Sequence, residues 1–211
     1  MKCRALLFDL DGVLVDSLGC VERVWRRWAP RHGLDAEALI RAGLGRRTSE
    51  TLRAIAPHLD VEAETQILDH MEEEDTRGML AIPGARALVE TLDPNQWAIV
   101  TSGGRQLSTL KLTATGIPMP RVFVTGDDVV RGKPDPQCYL RAATLLNLEP
   151  RDVIVIEDAS IGIAAARAAG MGVVGVSRDG MPLPDTDLTV PDLTTLRIEM
   201  QGGWLIVDSA P

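Results

Sequence analysis

Aromatic side chains are scarce, 3% of 211 residues, and lysine is scarcer still, occurring only as Lys2, Lys111 and Lys133. The core must therefore be built from aliphatic groups. Cysteine is limited to Cys3, Cys20 and Cys138, an odd number with no C-x-x-C pair, which speaks against a disulfide framework and leaves small buried thiols as the reading. No uncharged apolar run approaches the roughly 18 residues that cross a bilayer. The apolar stretch behind Met1-Lys2-Cys3-Arg4 is broken at Asp9 and Asp11 and is no signal-peptide core, and no lipidation signal closes the chain. An excess of positive charge is missing too. Twenty-two basic residues against thirty acidic ones leave a formal charge of −8, which works against gripping a polyanion through a broad face. The expectation is a cytoplasmic monomer that acts on a small molecule, with no nucleic-acid and no membrane partner.

What remains is an ordinary globular composition, 45% hydrophobic and 25% charged, long enough for one domain with a sizeable insertion or two small ones. Ala5 to Leu10 reads as a buried parallel strand. From Ser17 the period turns helical, with Val21, Val24, Trp25 and Trp28 on one face and Glu22, Arg23, Arg26 and Arg27 on the other. This helix ends near Gly33. Further helices are expected at Ala36–Ala42, Ser49–His58 with Thr48 as N-cap, and Val61–Arg77, and nothing between Ser17 and Ile82 reads as a strand. Beyond Pro83-Gly84 helices and strands alternate, with strands at Trp97–Val100, Arg121–Val124, Val153–Ile156 and Val173–Val176. Alternation of this kind means a parallel sheet with helices on both faces. The tail reads as a hairpin turning at Gly202-Gly203. The fold class is thus α/β, a doubly wound, Rossmann-like parallel sheet with an inserted all-α domain: residues 1–16 and 83–211 form the core, residues 17–82 the helical cap.

Ligands of such sheets bind beyond the carboxyl ends of the strands. There the chain places Asp9-Leu10-Asp11-Gly12, Thr101-Ser102-Gly103-Gly104, Gly132-Lys133-Pro134-Asp135-Pro136 and Glu157-Asp158. Residues i and i+2 of a strand share a side, so Asp9 and Asp11 address one small volume. Crowded carboxylates call for a cation, and an all-oxygen acidic site with room for water suits Mg²⁺. Hydroxyls and open backbone N–H groups opposite them suit a small anion. Acids that hold a metal, facing donors that hold an anion, describe a phosphate site.

In this order the segments DLDGVLVDS (Asp9 to Ser17), VTSG (Val100 to Gly103), GKPDP (Gly132 to Pro136) and EDASIGIAAARAAGM (Glu157 to Met171) resemble the four motifs of the haloacid dehalogenase superfamily, in its phosphatase branch and specifically its sugar-phosphate phosphatases. The inserted helices are similar to that family's C1 cap. The resemblance implies an aspartyl-phosphate on Asp9, with Asp11 protonating the leaving alcohol and then activating water. It implies phosphoryl binding by Thr101, Ser102 and Lys133. It also implies Mg²⁺ ligation by Asp9, the backbone carbonyl of Asp11, and Asp158, with Glu157 near or through water. Arg46 and Arg47, in the glycine-flanked loop Gly43 to Thr48, are the candidates for substrate specificity in the cap.

Duller roles are assigned elsewhere. Asp16 and Ser17 read as helix-capping residues, Met71 to Asp75 as a solvated helix face, Trp25 and Trp28 as cap core, and the histidines carry no ligand spacing. Two relatives in function stay open: a phosphoglycolate-type phosphatase, and a sugar phosphomutase, although the mutases resembling this chain place a histidine at the hinge and a lysine in the cap, and here the hinge reads Gly19-Cys20-Val21. The absence of lysine from the cap excludes a phosphonatase, and Asp11 speaks against a dehalogenase. A phospho-aspartate switch module is the alternative from a different class.

Overall fold

The computed structural model describes residues 1–178 and 181–209. In chain order the elements are β1 (Lys2–Cys3), β2 (Ala5–Phe8), β3 (Val15–Asp16), α1 (Leu18–Trp28), α2 (Ala36–Gly43), α3 (Thr48–Ile55), α4 (Val61–Glu74), β4 (Leu80–Ala81), α5 (Ala85–Glu90), β5 (Trp97–Val100), α6 (Arg105–Thr115), β6 (Val122–Val124), α7 (Gln137–Leu146), β7 (Val153–Glu157), α8 (Ser160–Ala168), β8 (Gly172–Val176), β9 (Leu188–Val190), β10 (Leu196–Gln201) and β11 (Trp204–Ser209).

The main sheet has the order β6-β5-β2-β7-β8-β9 and is parallel throughout. Its strands are apolar on both faces because both faces are covered. Leu6, Phe8, Ile99 and Ile156 pack towards α5 and α6, while Ala5, Leu7, Val100 and Val155 pack towards α7 and α8. From β2 the chain runs outward through β5 to β6, then returns to the other flank of β2 for β7. The carboxyl ends of β2, β5 and β7 therefore bound the crevice where the winding reverses.

Helices α1 to α4 form the insert between β2 and β5, around a core of their own that includes Val24, Trp25, Trp28, Leu39, Leu52 and Leu68. Trp25 and Trp28 meet edge to face at 5.6 Å, as their spacing suggests. All three cysteines are buried and free.

Several local expectations change. Two short strands escape the sequence period: β3 and β4 pair antiparallel, Val15 with Ala81 and Asp16 with Leu80, where the chain enters and leaves the insert. A two-residue strand has no period to read. The sequence also hides β1 and β9, although the tail hairpin forms as expected, Gln201 facing Trp204 across its Gly-Gly turn, and β1 pairs with β11 beside it. Arg47, not Thr48, occupies the N-cap of α3. Ser17 stands at the N-cap of α1 without a side-chain cap bond, and Asp16 is paired with Arg178 at 2.9 Å.

Nor is Met71 to Asp75 a solvated face: Met71, Glu72 and Asp75 are buried. Helix α4 stops at Glu74 instead of continuing to Arg77 because Asp75 turns inward. There Arg23 grips it with two hydrogen bonds of 3.0 Å and Arg77 with bonds of 3.1 and 3.2 Å. These guanidinium groups hold the Asp75 carboxyl far below the usual carboxylate value. A depressed acid stabilises the fold above its unfolded pKa, about 3.9, and loses that contribution as pH falls towards the folded value. Asp75→Asn is accordingly expected to lower Tm by about 2–4 °C at pH 7. The difference should begin to narrow only below about pH 4 and close as pH approaches the folded value; a gap that persists there would show that packing, not charge, holds this corner.

Candidate active site

The register of the sheet places Asp9 one residue past β2, where its N–H donates to the Ile156 carbonyl at 3.0 Å, with Thr101 just beyond β5 and Glu157 closing β7. Lys133 reaches this point from the loop before α7. Its ammonium, almost fully buried, lies 2.7 Å from Asp9 Oδ1 and 2.6 Å from Glu157 Oε1. Burial works against the charge on Lys133, but Asp9 and Glu157 outweigh it and hold the ammonium well above its ordinary pKa.

Glu157 is saturated. Oε1 also accepts from the Tyr139 hydroxyl at 3.0 Å, and Oε2 accepts from the backbone N–H groups of Asp158 and Ala159 at 2.9 Å each. The side chain fits only because residue 162 is glycine, where a Cβ would fall 1.6 Å from Glu157 Oε1. Glu157 thus serves as the seat of Lys133, and Tyr139, which no sequence motif singles out, locks that seat.

Asp158 differs from its neighbour: its carboxylate accepts no hydrogen bond among the described residues. Burial, with Glu157 and Asp9 adding to it, pushes its carboxyl well above the usual range. Asp9 is raised for the same chief reason, burial, with Lys133 opposing and Glu157 reinforcing. Oxygens of Asp9, Glu157 and Asp158 all lie within 4.8 Å of one another. One ammonium against three crowded acids, two of them buried, leaves negative charge uncompensated, and Asp158 has lone pairs to spare. The donor set is all oxygen, so these residues fit a hard divalent cation. Gly12 is required in the same corner: at φ +81° a Cβ there would come within 1.9 Å of Asp158 Oδ2.

Asp11 does not join this cluster. The strand ends at Phe8, so the i, i+2 rule no longer governs, and Asp11 Oδ1 accepts instead from Lys111 Nζ at 2.7 Å and from the Ser17 hydroxyl. Burial opposes ionisation of Asp11, but Lys111 and Ser17 more than offset it, and its carboxyl lies below the ordinary value. Two polar nests, one around Asp9 and one around Asp11, therefore face the same crevice.

On the anion side, buried Thr101 accepts from the Gly103 N–H at 3.1 Å. The Ser102 hydroxyl donates to the Gly45 carbonyl of the insert at 2.7 Å. The insert is seated at two further points: Arg47 donates to the Val129 and Val130 carbonyls at 3.0 and 3.5 Å, and Glu50 accepts from the Gly132 N–H at 3.1 Å. Arg47 is thereby occupied by core backbone. Arg46, exposed and without a side-chain partner among the described residues, lines with Glu50, Arg131, Gly132, Lys133 and Asp135 a groove of about 570 Å³ at the seam between insert and core.

The chain as a whole is similar to known proteins. The haloacid dehalogenase-like hydrolase pattern matches residues 6–176. Hexitol phosphatase A of Escherichia coli K12 is 41% identical over 208 residues, covering 95% of this chain and 96% of that protein. The 2-deoxyglucose-6-phosphate phosphatase 1 of Saccharomyces cerevisiae is 36% identical over 91% of this chain and 89% of its own. Among solved structures, a hydrolase from Pseudomonas syringae superposes with a TM-score of 0.79 at 29% identity, over 90% of this chain and 94% of that one. The chain belongs to the haloacid dehalogenase-like hydrolase family and is a phosphatase of it.

Proposed function

We propose that the protein hydrolyses phosphate monoesters of sugars or sugar alcohols in a Mg²⁺-dependent reaction through an aspartyl-phosphate on Asp9. The observation that carries this reading is the Asp9 carboxylate, anchored through Oδ1 on buried Lys133 and with Oδ2 accepting no hydrogen bond among the described residues. Asp9 Oδ2 attacks phosphorus, the bond from phosphorus to the ester oxygen breaks, and Asp11, driven by the adjoining phosphate dianion to take up a proton against the pull of Lys111, gives it to the departing alkoxide. Asp11 then takes a proton from water, the water oxygen attacks phosphorus, and the bond to Asp9 breaks to release inorganic phosphate. Thr101, Lys133 and the N–H groups after β5 hold the phosphoryl oxygens as charge redistributes. Asp9, Asp158 and the Asp11 carbonyl would hold Mg²⁺, which screens the carboxylate from the dianion it must approach. Glu157 serves that cation at most through water, since both of its oxygens are taken.

The helical insert, residues 17–82, acts as the cap that excludes water and reads the leaving group. Arg46 faces the groove and reads vicinal hydroxyls, while Arg47 fastens the closed position. Hexitol and hexose phosphates are the favoured esters, in keeping with the names of the relatives.

Phosphate release with and without Mg²⁺, from a panel of hexitol, hexose, pentose and glycerol phosphates and phosphoglycolate, tests the reading. Metal-dependent release, fastest from a six-carbon ester, is expected; preference for phosphoglycolate or no release at all would contradict it. Arg46→Ala should raise KM for the best sugar ester by about tenfold, the loss of one charge-assisted contact. Turnover of p-nitrophenyl phosphate should change less than about twofold, and equal losses on both esters would remove Arg46 from recognition.

A further inference from the structure

Lys111 belongs to none of the sequence motifs, yet it is one of only three lysines and its side chain is 4% exposed. It stands on α6 of the core, and its ammonium lies between two acids from different parts of the fold. Asp11 Oδ1 is 2.7 Å away and Glu72 Oε1, on α4 of the insert, is 2.6 Å away. The same Asp11 Oδ1 takes the hydroxyl proton of Ser17, the residue through which the chain enters the insert. Asp11 Oδ2 accepts no hydrogen bond among the described residues, and the side chain is about a third exposed, 35%. One oxygen is thus fastened by two donors and the other presented.

Stability alone is a poor reason for such an arrangement, because a buried ion triad is often no more stable than an apolar replacement of similar volume. An ammonium on a four-carbon stem is also strongly hydrated and mobile until something desolvates and pins it. Here Glu72 does both, and Glu72 arrives only with the insert.

We propose that Lys111 is a positioning residue for Asp11, and that Glu72 of the seated insert pins Lys111, so that closure of the insert completes the orientation of the acid/base group. This rests on Asp11 serving the leaving alcohol and the water, as argued above. An insert that rises from the core takes Glu72 away, frees the ammonium and releases Asp11 Oδ1 to Ser17 alone. The group that serves water is then fully oriented only when bulk water is shut out.

The test uses the full-length protein with Mg²⁺ and two esters. p-Nitrophenolate leaves without a proton, so phosphorylation of Asp9 from p-nitrophenyl phosphate needs Asp11 little, whereas hydrolysis of the aspartyl-phosphate needs it fully. In stopped flow, Lys111→Met is expected to raise the ratio of burst rate to steady-state rate by about 10²-fold over the parent protein. On a hexitol phosphate it should lower kcat by about 10²-fold while KM moves less than about threefold. Glu72→Gln should show the same signature in weaker form, and Lys111→Arg should recover part of the loss. Should Lys111→Met fold poorly, the double variant Lys111→Met/Glu72→Leu replaces the pair with apolar groups and must give the same burst.

Equal losses on both esters without a raised burst ratio, or recovery of activity in the double variant, would overturn the proposal and leave Lys111 structural. Asp11→Asn separates the two layers. If it shows the burst while Lys111→Met behaves as the parent, the proposal falls and the role of Asp11 stands. If Asp11→Asn itself turns over both esters as the parent does, the role of Asp11 falls and takes the assignment of Lys111 with it.

Discussion

Asp9→Asn is expected to lower phosphate release from every ester by at least about 10⁴-fold, the loss that follows when a covalent catalyst loses its nucleophile. The amide is nearly isosteric, so the site should keep its shape while its chemistry fails. Lys133 approaches Asp9 Oδ1 at 2.7 Å and can keep that contact with the amide oxygen. What disappears is the anionic Oδ2, which no donor among the described residues engages and which is therefore free for phosphorus. Tm should stay level or rise, because burial disfavours the Asp9 carboxylate and the substitution removes one of three crowded acids. Retained turnover in a folded Asp9→Asn would move the nucleophile elsewhere.

Lys133→Met carries the second largest effect, and here stability and activity should fall together. The ammonium is the shared counter-charge of Asp9 and Glu157, with both contacts below 3 Å and its side chain 1% exposed. Removing one member of a buried ion cluster costs about 3–5 kcal/mol, since the remaining charges stay desolvated and unpaired. For a chain of this length that corresponds to a fall in Tm of about 10 °C. kcat/KM should drop by about 10³-fold, as for a lost donor at a site of developing negative charge. Mg²⁺ should raise Tm of the variant more than that of the parent, because a cation among Asp9, Glu157 and Asp158 replaces part of the missing charge. A variant that keeps its stability but loses activity would mean that Asp9 and Glu157 do not depend on Lys133 for their burial.

The contrast between Lys133 and Lys111 explains how much of the site could be read from the sequence. Asp9, Thr101 and Glu157 each stand at or just past the end of an apolar run, and a parallel sheet collects such positions at one edge whatever the helices do, while Lys133 is marked by the Gly132 and Pro134 that flank it in the loop before α7. Lys111 and Glu72 sit inside amphipathic helices, where a charged residue has the look of a solvated one. Only the packing of α4 against α6 turns both inward, and that register is not written in either helix alone.

Tyr139 is similar: it occupies one turn of α7 and acquires meaning only from Glu157 beneath it. Ser17 fits the pattern of a helix cap, yet its hydroxyl is drawn to Asp11 because the insert's entry passes directly over that carboxylate. The sheet and the four inserted helices were legible because their periods are long. The short β3 and β4 pair, which ties the two crossings together, depends on chain ends meeting in space. Of the two loop arginines the sequence offered no choice between them; backbone carbonyls of the core claim Arg47 and leave Arg46 open to the groove.

The most direct measurement is a rapid acid quench of the Mg²⁺-loaded protein with ³²P-labelled hexitol phosphate, followed by peptide mapping of the label. Label is expected on Asp9, labile to hydroxylamine, absent from Asp9→Asn and accumulating in Asp11→Asn. Steady phosphate release without label on Asp9, undiminished in Asp9→Asn, would contradict the aspartyl-phosphate.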